Sequence, residues 1–242
     1  MRDTARYRQS TVAGATRPRR TGSLRRVLLA VGLFYGFYWM YFPRVAHLAV
    51  ENPRRTAFIE QYQSREEARG SDGRIAQVWR PLSAISPYLK RAVIIAEDDT
   101  FFTHNGFNLT EIKRALATWR QGKRLRGAST ITQQLAKNLY LSPSRNPLRK
   151  LRESIIAWRL EGSLEKPRIL EIYLNVVEWG AGVYGAEAAS QHYFGKGADH
   201  LTRREAAYLA AIIPNPIYLT KKSQVRQVKN RENKILSRLG GN

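Results

Sequence analysis

Apolar positions recur at helical spacing through most of the chain beyond residue 80, and residues that start or stop helices bracket each run. Leu89–Ala96 (LKRAVIIA) reads as a buried apolar turn leading into Glu97-Asp98-Asp99. Asn108-x-x-Glu111 is a capping-box-like start for a helix running to Gly122. Ser129 or Thr130 can cap a helix over Ile131–Leu141, and Asn146-Pro147 supplies the N-cap and first position of another through Leu160. Pro167 does the same for Arg168–Val177. Glycines 180, 182 and 185 then break the chain before a helix over Ala186–Tyr193. Thr202-x-x-Glu205 opens Ala206–Ile213, which Pro214 and Pro216 end, and a last basic helix covers Gln224–Leu239. Residues 44–80 form a polar connector, helical around Thr56–Glu67. Period-2 alternation is nearly absent and no repeat is visible, so residues 81–242 are expected to form a mainly α domain.

One run breaks this amphipathic pattern. Val27–Phe42 (VLLAVGLFYGFYWMYF) carries no charge, and its sixteen residues reach about 24 Å as a helix. With Leu24 added and Arg25 and Arg26 snorkelling, that approaches a membrane-spanning length. Aromatics crowd its C-terminal end as an interfacial belt would, and eight arginines against Asp3 precede it. Residues 1–23 are thus expected to be a basic cytoplasmic tail and 24–43 a single transmembrane helix, with the rest outside. A cleaved signal peptide fits less well, because no small-x-small pattern follows promptly. A buried helix of a soluble domain is the plainer reading of the run, and the flanks speak against it.

The formal net charge is +22, of which +15 lies beyond the tail, so the body itself suits an anionic partner. Acidic lipid head groups or a phosphorylated substrate match a tethered external domain better than nucleic acid does. With no cysteine, a disulfide scaffold and a thiolate nucleophile are excluded. His47, His104, His192 and His200 form no close-spaced ligand pair, and no metal site is firmly predicted.

Several stretches carry candidate chemistry. Three acids directly after an apolar helix are badly placed against the helix dipole, and a carboxylate beside an apolar wall gains proton affinity; Glu97 therefore reads as an acid–base group. In R-G-A-S-T-I-T-Q-Q-L-A-K-N (126–138), Gln134 shares a helical face with Lys137 or Asn138. Such a row can bind sugar hydroxyls and place an ammonium on a phosphate, although an ordinary amphipathic surface helix gives the same pattern. Arg149, Lys150 and Arg152 could clamp phosphate or form a solvated basic face. Glu171 sits among Ile169, Leu170, Ile172 and Leu174, one turn from Asn175, and is either salt-bridged or catalytic. The glycines of 180–196 suit close backbone packing beneath a cleft. Ser163-x-x-Lys166 matches the SxxK of acyl-serine enzymes by chance, for no KTG partner follows.

Taken in order, these stretches resemble the motif set of the peptidoglycan glycosyltransferases, glycosyltransferase family 51, over roughly Pro81 to Pro216. The matching elements are E97-D98-x-x-F101-x-x-H104-x-G106, G127-x-S129-T130-I131-x-Q133-Q134, R149-K150-x-x-E153 and I169-L170-E171-x-Y173-L174-N175, followed by G182-x-x-G185. Asn108 stands where the family usually has Asp. The resemblance implies a lysozyme-like helical glycosyltransferase domain with a small membrane-associated jaw, no transpeptidase domain, and location at the outer face of a bacterial inner membrane. It implies polymerisation of lipid II, with Glu97 as general base toward the acceptor GlcNAc 4-hydroxyl attacking MurNAc C1. That attack inverts the donor to a β-1,4 bond and expels undecaprenyl pyrophosphate. Lys137, Arg149 and Lys150 would receive the pyrophosphate. Glu171, the second catalytic residue, would orient those cations or the acceptor sugar. Ser129, Thr130, Gln133, Gln134 and Asn138 would line the donor site. Asp98, Gly106, Glu153 and Asn175 belong to the substrate-binding set, with Phe101 and His104 shaping the loop that carries Glu97. No cofactor is required; a facultative Mg or Mn ion could accompany the pyrophosphate.

The partners implied are lipid II, the growing lipid-linked strand, the membrane and cell-wall synthesis or division proteins, and not nucleic acid. Two other readings stand beside this one: a membrane-anchored muramidase or lytic transglycosylase, and a non-enzymatic basic adaptor that binds anionic lipid or nucleic acid through charge alone.

Overall fold

The computed structural model describes residues 25–33, 36, 42–121, 129–142 and 146–240, and divides the chain into two units, Met1–Phe42 and Pro43–Asn242. In the first, residues 25–33 and 36 are helical. Among the described residues no helix is long and apolar enough to cross a membrane. The expected tail 1–23 and positions 24, 34, 35 and 37–41 of the expected transmembrane helix lie outside the described residues.

The second unit is mainly helical. Its longer helices, numbered within the unit, are α1 (Ala57–Glu67), α2 (Pro87–Glu97), α3 (Leu109–Arg120), α4 (Ile131–Tyr140), α5 (Pro147–Ser163), α6 (Lys166–Val176), α7 (Ala186–Phe194), α8 (Arg203–Ile212), the four-residue α9 (Pro216–Leu219) and α10 (Val225–Gly240). Local chemistry explains the starts. Thr56 and Thr130 accept backbone N–H groups of Ile59 and Gln133, and Thr130 with Gln133 forms a complete capping box, as Thr202 with Glu205 does for α8. Asn146 caps α5 with Pro147 in its first turn. The start of α6 falls two residues earlier than Pro167 suggests, because Glu165 is the N-cap and proline fits anywhere in a first turn. Pro216 opens α9 rather than merely ending α8.

Small residues set the core spacing. Ala206, Ala207, Ala210 and Ala211 of α8 are buried, and α8 packs against both α2 and α10. A second layer joins α4 to α5 and α6. Fully buried Trp179 donates its indole N–H to Leu209 O at 3.0 Å, and Tyr193 donates its hydroxyl to Trp179 O at 2.7 Å.

Three short strands, in the order β1-β3-β2, form a small sheet against α7 and α9: β1 (Ala76–Gln77), β2 (Glu178–Gly180) and β3 (Val183–Tyr184). β1 pairs parallel with β3, and β2 pairs antiparallel with it across an irregular register. Strands of two or three residues cannot show an alternating pattern, so the sequence carries no sign of them. Gly182 and Gly185 have φ of +72° and +82°, and a Cβ there would lie 2.6 Å from Arg74 O and 2.7 Å from Asn175 O.

Candidate active site

Glu97 is the last residue of α2, where the helix ends in a cleft of about 220 Å³ bordered by Asp99, Asn108, Ser129, Thr130 and Arg238. Its Oε2 accepts the side-chain N–H of Gln134 at 2.8 Å, and Gln134 in turn accepts the hydroxyl of Tyr173 at 3.0 Å. Oε1 is sealed from solvent and has no hydrogen-bond partner among the described residues. A buried acceptor left unsatisfied is costly, on the order of 1–3 kcal/mol, and marks a place where a donor belongs. Burial pushes the Glu97 carboxyl above the usual carboxylate range, and neighbouring Asp98 adds to this. The Gln134 amide and the positive fields of Arg231 and Lys137 oppose it.

The residues around Glu97 hold its loop. Buried Asp98 accepts from His104 Nε2 at 2.9 Å and from the backbone N–H of Ile131 at 3.1 Å, joining the end of α2 to the start of α4. Phe101 is fully buried beneath Lys166, whose ammonium lies 4.5 Å from the ring centroid. Gly106 has a φ of +81° and gives its carbonyl to Thr130 Oγ1 at 2.7 Å. Asn108 caps α3 through Glu111 N at 3.0 Å and donates to Thr100 Oγ1 at 2.7 Å.

A group of cations stands beyond the residues that border the cleft, in electrostatic reach of Glu97 through Lys137. Lys137 is half-buried on α4, 5.3 Å from the Phe58 ring centroid, and burial lowers its pKa. Arg149 and Lys150 reinforce that drop, while Glu153 and Glu97 oppose it. Arg149 pairs with Glu153 at 2.8 Å. Lys150 pairs with the other oxygen of that buried carboxylate and donates to Ser129 Oγ at 3.1 Å. Ser129 thereby links the cations to the Glu97 cleft.

Not every expected site residue meets this cleft. Thr130 borders it while capping α4, whereas Gln133, its partner in the cap, and Asn138 are buried and lie outside the bordering residues. Glu171, expected to orient the cations or the acceptor sugar, makes no ion pair with those cations among the described residues: Oε2 accepts the Leu82 N–H at 2.8 Å and Oε1 pairs with Arg168. Arg168 also donates to Leu48 O at 2.8 Å and Glu51 O at 2.7 Å. Asn175 accepts from Arg80 N and donates to Arg80 O, both at 2.8 Å. On a helix of 3.6 residues per turn, Glu171 and Tyr173 point to nearly opposite sides of α6. Tyr173 faces Glu97 and Glu171 faces the incoming connector; Glu153 is the carboxylate that holds the cations.

Sequence reasoning passed over several neighbours. Arg231 and Arg238 arrive from α10, and Arg238 pairs with Asp99 at 3.0 Å. Glu178 lies across the strand pair from Tyr184, with burial raising its pKa against the fields of Arg65 and Lys137 and the Tyr184 hydroxyl. The one-turn spacing of Phe58, Tyr62 and Arg65 on α1 was the available signal: Phe58 meets Lys137, and Tyr62 packs edge-on to Tyr184 at 6.1 Å.

Comparison with known proteins agrees with the geometry. A family model described as transglycosylase matches residues 65–240. A biosynthetic peptidoglycan transglycosylase of Methylobacillus flagellatus is 44% identical over 216 residues, covering 89% of this chain and 94% of its own. Proteins of the same name from Aromatoleum aromaticum and Azoarcus are 45% and 46% identical, over 81% and 79% of this chain and 85% and 84% of theirs. With the family model spanning the helical unit from α1 to α10, the chain belongs to the transglycosylase family.

Proposed function

We propose that this protein polymerises lipid II into linear peptidoglycan strands on a lysozyme-like helical frame, releasing undecaprenyl pyrophosphate. The observation that carries the reading is Glu97: a carboxylate with one oxygen oriented by Gln134 and the other buried and unpartnered among the described residues, in the field of Lys137, which Arg149 and Lys150 adjoin. In the reaction the acceptor 4-hydroxyl gives its proton to Glu97 as its oxygen bonds to the donor anomeric carbon. The carbon–oxygen bond to the diphosphate breaks, its electron pair leaves with the pyrophosphate, and configuration inverts to β-1,4. A positioned base contributes about 10²–10⁴-fold. The cations stabilise charge that develops on the leaving group, where a proton donor would add little. Glu153 fixes two of them, so we assign it the orienting role and give Glu171 the positioning of the connector.

A facultative Mg or Mn ion would meet the pyrophosphate's own oxygens rather than a cage of protein carboxylates. Among the described residues no group of three or more potential ligand side chains could hold a metal, and Glu153 is engaged by Arg149 and Lys150.

A membrane-confined substrate suits two further features. Leu148, Leu151 and Trp158 of α5 lie 69%, 59% and 62% exposed along one face among arginines, as an interfacial helix would present them. We assign this face to the membrane-associated jaw, and the apolar run 27–42 to a single-pass inner-membrane anchor with the catalytic unit periplasmic.

The test is purified full-length protein supplied with lipid II. Loss of lipid substrate with growth of long glycan is expected; activity confined to finished sacculi would establish the muramidase reading instead.

A further inference from the structure

A second concavity opens beside the cleft and is used by nothing in the reaction above. It holds about 230 Å³ between α2 and α10 and is lined by Ile95, Ala96, Arg231, Lys234, Ile235 and Arg238. Ile95, Ala96 and Arg238 also line the Glu97 cleft, so the two spaces share a wall. Residues 231, 234, 235 and 238 follow one face of α10 at i, i+3, i+4 and i+7. Buried Ile235 seats that face on the core, and the three cations stand around the opening.

Two of these cations are built in. Arg231 donates its Nε–H to Ala211 O at 2.8 Å, which fixes the guanidinium against the end of α8. Arg238 donates to Ile95 O at 3.3 Å and to Asp99 Oδ2 at 3.0 Å, which fixes it at the junction of groove and cleft. Lys234 is exposed and makes no ion pair among the described residues. Glu97, Asp98, Asp99 and Glu111 line the adjoining cleft, but among the described residues the groove itself is lined by three cations and no acid, so it keeps an excess of positive charge.

We propose that this groove is a subsite for the peptide carried by the muramyl sugar, recognising a carboxylate on that peptide through Lys234 with Arg231 and Arg238 beside it. The inference rests on the polymerase reading. In the acceptor, the sugar whose hydroxyl reacts at Glu97 is followed directly by the muramyl sugar, and the peptide branches from that second ring. A branch one ring from the reacting atom falls within reach of a groove whose wall, Ile95 and Ala96, immediately precedes Glu97 on α2. An apolar floor of Ile95, Ala96 and Ile235 suits the peptide's alkyl portions, and the cations suit its acids. The subsite contributes specificity for the peptide rather than chemistry.

Full-length protein is assayed for polymerisation with two forms of lipid II, one with free carboxylates on the peptide and one with the same carboxylates amidated. The wild type is expected to show a KM about 3–10-fold lower for the acidic form, the size of a partly exposed charge-assisted contact. Lys234→Ala should bring the two KM values together and Lys234→Glu should invert their order. Lys222→Glu, an equal charge change on an exposed turn ahead of α10, should keep the wild-type ratio. A wild-type ratio near one, a ratio unaltered by Lys234→Ala, or a ratio altered equally by Lys222→Glu would overturn the proposal while leaving the polymerase reading intact. Absence of polymer from both substrates would overturn the polymerase reading and the subsite with it.

Discussion

Gln134 holds one oxygen of Glu97 at 2.8 Å and leaves the other without a partner. The bond stabilises the carboxylate against burial, so the amide keeps Glu97 ionised further into the acid than its surroundings alone would allow. A general base works only when ionised. Turnover should therefore fall as pH drops through the Glu97 pKa, with a midpoint above the ordinary glutamate range. Gln134→Ala removes a bond that favours the charged form, so that midpoint should move to higher pH. A pH–rate profile of both proteins checks this, and a midpoint moving toward acid would contradict it.

Glu97→Gln keeps the shape of the side chain and removes the base. Polymerisation should fall by about 10²–10⁴-fold or more. Stability should move the other way. The native carboxyl binds its proton more tightly than the unfolded one, so stability is lost as pH rises from the unfolded to the folded pKa. At neutral pH the wild type carries that penalty and the variant does not. Thermal melts should show Glu97→Gln with a higher Tm at pH 7, by about 2–4 °C for each kcal/mol recovered, and a smaller gap in acid.

Lys137 supplies the other limb of the pH profile. Burial lowers its pKa, so its positive charge is lost at a pH below the usual lysine range as the solution becomes alkaline. Turnover should decline through that pKa. Lys137→Arg keeps the charge at all working pH values, and its alkaline limb should recede to higher pH even if its maximal rate is lower. Lys137→Ala should lose most activity, with added salt weakening what remains.

Helix starts were legible in the sequence because each is written locally: Thr130 with Gln133, Thr202 with Glu205, Asn146 with Pro147. Glu97 was legible for a related reason, since an acid at a helix C-terminus opposes the dipole and needs a separate explanation. The roles of the two other glutamates were not. Both follow cations on amphipathic helices, and only the packing of α6 between the connector and α4 shows which way each carboxylate faces. The cations of α10 were hidden for another reason: Arg238 reaches the cleft, and Arg231 the groove beside it, from more than 130 residues away in the chain, where no spacing rule applies.

That division of roles between Glu171 and Glu153 can be measured. Glu171→Gln retains an acceptor for the Leu82 N–H and loses the charge facing Arg168, so it should lower Tm with modest loss of kcat. Arg168→Ala should do more damage, because the contacts to Leu48, Glu51 and Glu171 are lost together. Glu153→Gln releases Arg149 and Lys150, the latter beside Ser129 at the border of the cleft. Breaking a fully buried pair costs about 3–5 kcal/mol, and half-exposed Lys150 makes the cost smaller here. Its kcat should fall by a much larger factor than that of Glu171→Gln at equal loss of Tm. The opposite order would return the orienting role to Glu171.

The exposed face of α5 makes a prediction about where catalysis is efficient. Leu148, Leu151 and Trp158 present apolar surface in water, a cost that contact with lipid would remove. Leu148→Ser with Leu151→Ser replaces two such side chains and leaves Arg149, Lys150 and Glu153 in place. Turnover of lipid II embedded in anionic vesicles should fall by about 10-fold or more, since each leucine contributes on the order of 1.5 kcal/mol when buried. Turnover of the same substrate dispersed in detergent should fall far less, because there the substrate reaches the cleft without the helix lying in a bilayer. Equal losses in the two settings would mean that the leucines serve the fold of α5, and the membrane contact would have to lie on another surface.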